Sequence, residues 1–91
     1  MEFEFDPVKS ASNEIKHGLD FAEAQALWDG KVLESSTLSL AEPRKLVIGK
    51  IEEKHWTAVV TERDGKVRII SVRRSRNKEI EIYENSKDHK S

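Results

Sequence analysis

The sequence predicts an α+β fold: a mostly antiparallel sheet of four or so strands, with two N-terminal helices and a C-terminal helix. Three observations carry this. Residues 6–30 show helical spacing punctuated by capping residues. From Lys31 onward the apolar period shortens to two, as in strands. Asp64-Gly65 then sits between two alternating runs and is the strongest hairpin signal in the chain. Ninety-one residues hold one small domain with a modest core. We assign that domain to residues 1–85 and a polar tail to residues 86–91.

Phe3-Glu4-Phe5 alternates apolar and acidic residues and reads as a short strand. Asp6 caps a helix that Pro7 opens and Gly18 closes, with Val8, Ala11, Ser12 and Ile15 as its apolar stripe. Asp20-Phe21-Ala22-Glu23 matches the reciprocal capping pattern and starts a second helix, whose inner side is Phe21, Ala24, Leu27 and Trp28. Lys31–Ser35 reads as a strand and Ser36–Pro43 as a loop. Arg44–Lys50 is the next strand, with Gly49 marking a bulge or a close approach. After a polar turn at Glu52-Glu53-Lys54, His55–Arg63 and Val67–Arg73 form the hairpin. Ser75 is placed to cap a last helix running to about Glu84, with Ile80 and Tyr83 inward. Hairpin-linked strands favour helices on one face of the sheet, leaving the other to charge or to a partner.

Composition excludes several classes. With no cysteine there is no disulfide framework and no thiolate metal site. His17, His55 and His89 fall in unrelated elements, so no metal or cofactor is expected. There is no glycine-rich phosphate loop, no apolar N-terminal leader and no run long enough to span a bilayer, which fits a cytoplasmic protein without a membrane partner. Trp28 and Trp56 sit on apolar faces and read as core residues. The net charge of −1 hides an asymmetry. Residues 1–43 carry 3 basic and 9 acidic side chains, whereas residues 44–78 carry 11 basic and 4 acidic. A positive block of that density suits a surface that meets phosphates or an acidic partner.

Two cationic features stand out. Lys16 and His17 lie at the exit of the first helix, where a lysine can hold an anion and a histidine can move a proton near neutral pH. The same placement also suits the helix dipole alone. In Val67–Arg74, strict alternation sets Val67, Ile69, Ser71 and Arg73 on one face and Arg68, Ile70, Val72 and Arg74 on the other. Thr61 and Arg63 lie across the hairpin. Arginine forks match phosphate oxygens, so these side chains suit a phosphate clamp. They equally suit an edge strand guarded by charge, or ion pairs with Glu62, Asp64 and Glu79.

The segment Asp6-x-x-Lys9-x-x-x-Asn13-x-x-Lys16-His17-Gly18-x-x-Phe21-x-Glu23-Ala24 resembles the N-terminal signature of the BrnT toxins. Arg44, Ile48-Gly49, Thr61-x-Arg63, Arg68-Ile69-Ile70-Ser71-x-Arg73, Glu79 and Tyr83 follow in the family's order, so the resemblance spans about residues 3–84. Phe5 stands where tryptophan is frequent and Val72 where alanine is usual. The resemblance implies a RelE-like fold and a ribonuclease toxin of a type II toxin–antitoxin pair, cutting RNA without a metal and halting translation. It implies a BrnA-like ribbon-helix-helix antitoxin as partner, with operator DNA met only through the complex. Joined to the residues, it makes His17 the proton-transfer candidate, with Lys16 its electrostatic partner. Arg63 and Arg73, with Arg44, would neutralise the phosphate. Thr61 and Ser71 would position it, with Arg68, Arg74 and Tyr83 as further contacts to RNA or antitoxin. The rival expectation is a non-catalytic module that binds nucleic acid or antitoxin in autoregulation.

Overall fold

A computed structural model describes residues 1–37 and 44–88. The order is β1 (Glu2–Glu4), α1 (Pro7–His17), a 3₁₀ helix (Glu23–Asp29), β2 (Leu33–Thr37), β3 (Arg44–Ile51), β4 (Lys54–Arg63), β5 (Lys66–Arg74) and α2 (Asn77–Asp88). Residues 38–43, most of the expected loop, and the last three residues of the expected tail lie outside the described residues. α2 runs past Glu84 to Asp88.

Helix α1 begins and ends as its caps dictate. Asp6 Oδ1 accepts from the Val8 N–H at 2.9 Å, and Gly18, at φ +86°, donates to Glu14 O at 2.8 Å. Its facing is a correction. The apolar stripe points to solvent, and the helix turns Ser10 and Asn13 inward instead. The reason is a set of backbone groups that only polar side chains can satisfy. Ser10 Oγ accepts from Phe21 N–H at 2.9 Å. Asn13 Nδ2 donates to Leu19 O and Val72 O, both at 2.8 Å, while its Oδ1 accepts from Val72 N–H at 3.2 Å. Strand β1 pairs with β5 only as far as Arg68, so Asn13 stands in for a neighbouring strand further along that edge. An unpaired buried backbone group costs about 1–3 kcal/mol, which is what this side chain avoids.

The second helical element is 3₁₀. Asp20 and Glu23 form the expected reciprocal cap, with Asp20 N–H to Glu23 Oε1 at 3.0 Å and Glu23 N–H to Asp20 Oδ1 at 2.7 Å. Phe21, Ala24 and Leu27 are each 1% exposed or less. Ala24 and Leu27, three residues apart, stack on one side of a helix with three residues per turn, and Phe21 joins them from the turn before it. They pack on Val47, Trp56, Ala58, Ile69 and Val72 to form the main core, with Trp28 at its margin against Phe3. Gly49 is a close approach: a Cβ there would meet Leu27 Cδ2 at 3.0 Å and Val32 Cγ1 at 3.2 Å.

The sheet has five strands in the order β1-β5-β4-β3-β2. Three pairings are antiparallel, as expected, but β1 adds to β5 in parallel, so the sheet is mixed and has five strands where four or so were expected. Both central hairpins turn on two left-handed residues, Glu52-Glu53 (φ 51° and 70°) and Asp64-Gly65 (φ 51° and 79°). The helices occupy both faces. The 3₁₀ helix covers the face that holds Trp56 and Ala58, while α2 covers one end of the opposite face, reaching Thr57 through Glu79 and His55 through Tyr83 and Glu84. Ser75 does not cap α2. Its Oγ lies 2.7 Å from Thr57 Oγ1, and the cap is made by Glu79, which accepts from Arg76 N–H at 2.8 Å. Among the described residues, no helix is long and apolar enough to cross a membrane.

Candidate functional site

The alternation of β5 breaks at one point. Val60 pairs with Ile69 and Val59 with Ser71, leaving Ile70 as an extra, unopposed residue. Such a bulge reverses the phase of everything beyond it. Val67, Ile69 and Val72 therefore point into the core, and Arg68, Ser71 and Arg73 share the outer face. The expected opposition of Arg68 to Arg73 and Ser71 is overturned. Arg74 is carried to the core side, where its guanidinium lies 5.5 Å from the Trp56 ring centroid and its Nε donates to His55 O at 3.3 Å.

The outer face is arranged in rows across the strands. Thr61 opposes Arg68, Val59 lies between Leu46 and Ser71, and Thr57 lies between Ile48 and Arg73. Arg44, one residue before the Lys45–Val60 pair, stands level with Thr61. Arg68 also lies 3.5 Å from Glu4 across the parallel pairing. Arg63 is exposed beside the Asp64-Gly65 turn and, opposite Lys66, has no ion pair among the described residues. Six residue steps along β4 lead from Arg63 to Thr57, the partner of Arg73. At strand rise this is roughly 20 Å. The two arginines therefore bracket a strip of the face and do not close on a single phosphate.

Arg73 is the most constrained cation. Its Nη1 and Nη2 donate to the two oxygens of Glu79, each at 2.8 Å. These hydrogen bonds, against the opposing effect of burial, hold the Glu79 carboxyl at about 2 instead of 4.5, with the Arg76 N–H and the Thr57 hydroxyl adding to the effect. The same bonds raise Arg73 above its ordinary range. The fork is thus fixed in place at one edge of the face. Tyr83 is 3% exposed and its hydroxyl donates to Lys31 O at 2.9 Å, so it offers no surface to a ligand. Burial, then the charge of Glu84, raise its pKa, with Lys50 pulling the other way.

Between α1 and β5 lies a cleft of about 220 Å³, lined by Lys9, Ser12, Asn13, Lys16, His17, Ile70 and Ser71. It brings together the Lys16-His17 exit and Ser71, and so joins the helix motif to the arginine strand. Lys9 and Ser12 were missed in the sequence. Their signal is helical spacing, since Lys9, Ser12, Asn13 and Lys16 at i, i+3, i+4 and i+7 share one flank of α1. The cleft wall carries two lysines, a histidine and hydroxyls, and no carboxylate. The one cluster of metal-capable groups among the described residues is Glu14, Asp20 and Glu23. Asp20 and Glu23 there are engaged in capping.

A family model describing the ribonuclease toxin BrnT of type II toxin–antitoxin systems matches residues 5–79. The chain belongs to this family. The match runs from the residue before the α1 cap to Glu79, the partner of Arg73, and takes in the cleft and the arginine face. BrnT-family membership makes this chain a ribonuclease toxin with an antitoxin partner and an RNA target. Comparison with curated proteins gives no match.

Proposed function

We propose that this chain is an endoribonuclease that cleaves RNA without a metal, inhibits translation, and is neutralised by a BrnA-like ribbon-helix-helix antitoxin. Operator DNA is met only through the complex. The observation that carries the reading is the cleft, where His17, Lys16, Lys9 and Ser71 converge beside the Arg68–Arg73 face. In such a reaction the 2′-oxygen attacks the adjacent phosphorus, the P–O5′ bond breaks, and a proton passes from the 2′-hydroxyl to the departing 5′-oxygen. His17, exposed at the cleft mouth, is the side chain for proton transfer. Lys9 and Lys16 neutralise charge on the phosphate in flight, and the Ser71 hydroxyl orients it. Arg68 receives the next phosphate along the face, above the buried Thr61, with Arg44 and Arg63 beyond it. Arg73, neutralised by Glu79, anchors that edge of the face and adds no net charge to it.

Induced expression in bacteria without an antitoxin gene tests the function. Growth arrest is expected, and it should disappear with His17→Ala while the protein stays folded. Purified protein should cut RNA in chelator and leave 2′,3′-cyclic phosphate ends. Folded wild-type protein that permits normal growth would overturn the toxin reading. Loss of cleavage on chelation would overturn the metal-free one. The rival binding module predicts that His17→Ala leaves the phenotype intact and that affinity falls in proportion to the arginines removed.

A further inference from the structure

The most exposed large apolar side chains of α1 are the ones its sequence pattern marks as core. Ile15 is 87% exposed and Val8 76%, with Ala11 exposed between them. An amphipathic helix ordinarily buries such a stripe. Here the inward side is the Ser10–Asn13 hydrogen-bond network, so the stripe is surplus to folding. Around the helix from it, on the side of Ser12, lie Lys9 and Lys16 at the rim of the cleft. An apolar stripe and a cationic flank thus run side by side along the same helix.

We infer that α1 is the docking surface for an amphipathic helix of the antitoxin, one with apolar residues on one edge and carboxylates on the next. The apolar residues lie on Val8, Ala11 and Ile15, and a carboxylate enters the Lys9–Lys16–His17 cleft in place of an RNA phosphate. This rests on the function proposed above and adds how the activity is silenced: the partner competes for the cleft itself. Charge selects the occupant. Val8 and Ile15 offer nothing to a phosphate backbone, while the lysines beside them attract an acidic one. A second copy of this chain is the wrong partner, because an antiparallel pair of α1 helices would set the Lys9–Lys16 flank against itself. The three-residue stripe is also far smaller than the roughly 800 Å² per partner of a standard interface, so contact must continue into the cleft.

The test uses full-length toxin and the purified product of the adjacent antitoxin gene. Val8→Glu with Ile15→Glu changes only exposed positions outside the cleft, and circular dichroism checks the fold. The double variant should arrest growth like wild type when expressed alone, but should escape rescue by co-expressed antitoxin. Its affinity for the antitoxin by calorimetry should fall about 30-fold or more. Antitoxin bound to wild type should block a short RNA from the cleft, and the complex should weaken as salt rises. Affinity within about threefold of wild type would overturn the docking surface, whatever the toxicity. So would a folded double variant that no longer arrests growth, which would place the stripe in the RNA machinery. A wild-type dimer that Val8→Glu/Ile15→Glu dissociates, with antitoxin affinity unchanged, would overturn it in favour of self-association. Absence of growth arrest by wild type itself counts against the proposed function, and the calorimetric comparison judges the docking surface separately.

Discussion

Replacing Glu79 by Gln isolates the best-defined electrostatic interaction in the molecule. The carboxylate accepts both ends of the Arg73 fork at 2.8 Å, together with the Thr57 hydroxyl at 3.0 Å and the Arg76 N–H at 2.8 Å. Its side chain is 13% exposed and that of Arg73 23%, so solvent screens the pair only partly. A folded-state value of about 2 against the ordinary 4.5 corresponds to about 2–3 kcal/mol once that screening is allowed for. Because the folded value is depressed, the stabilisation is complete above about pH 5 and is lost as the pH falls towards 2. Glu79→Gln should therefore lower Tm by about 10–20 °C at pH 7, and the gap between wild type and variant should close on acidification. Urea melts of both proteins between pH 7 and pH 2.5 read this directly. A gap that does not vary with pH, or one below about 0.5 kcal/mol as for an ordinary surface pair, would refute the reasoning. Arg73→Lys, which keeps the charge and loses the fork, should forfeit most of the same energy.

Other perturbations follow from the same geometry. Asn13→Ala leaves Val72 N–H, Val72 O and Leu19 O without their partner and should cost about 3–5 kcal/mol in urea unfolding. Asn13→Asp should be as harmful at pH 7, since a carboxylate cannot donate to two carbonyls, and should recover partly in acid; full stability at pH 7 would contradict the edge-pairing role. Gly18→Ala meets no atom within 4 Å, so its cost is the left-handed backbone alone, about 1 kcal/mol by thermal melting. Lys9→Ala should weaken RNA binding without unfolding the protein and lower the salt slope of that binding by about 1; an unchanged slope would remove Lys9 from the cleft's phosphate contacts.

Local chemistry made much of the fold legible. The Asp6 cap, the Gly18 exit, the Asp20–Glu23 box and the Asp64-Gly65 turn each act within a few residues, so their sequence signals survive folding unchanged. The facing of α1 was not legible. Periodicity identifies a helix and its apolar stripe, but the burial of Ser10 and Asn13 is decided by carbonyls and amides that arrive from Leu19, Phe21 and Val72. The parallel addition of β1 to β5 is a long-range pairing that no short motif encodes. The 3₁₀ form of the second helix was not legible either, because Ala24 and Leu27, three residues apart, share a face at 3.0 and at 3.6 residues per turn alike.

The site turns on a single residue in the same way. Without the bulge at Ile70, Ser71 and Arg73 would face the core and Val72 would face solvent, an arrangement that buries a guanidinium and exposes a core valine. The bulge puts Ser71 on the wall shared with Lys16 and His17 and leaves Arg68 and Arg73 on one surface with Thr61. No glycine or proline marks it, because the extra residue is fixed by how β4 and β5 pair and not by the preference of Ile70. A clamp of Arg63 and Arg73 on one phosphate follows from counting residues along a hairpin, but strand rise separates them. The geometry of the proposed site is therefore set by the register of β5 against α1, which places a helix-borne histidine and lysines beside a strand-borne serine.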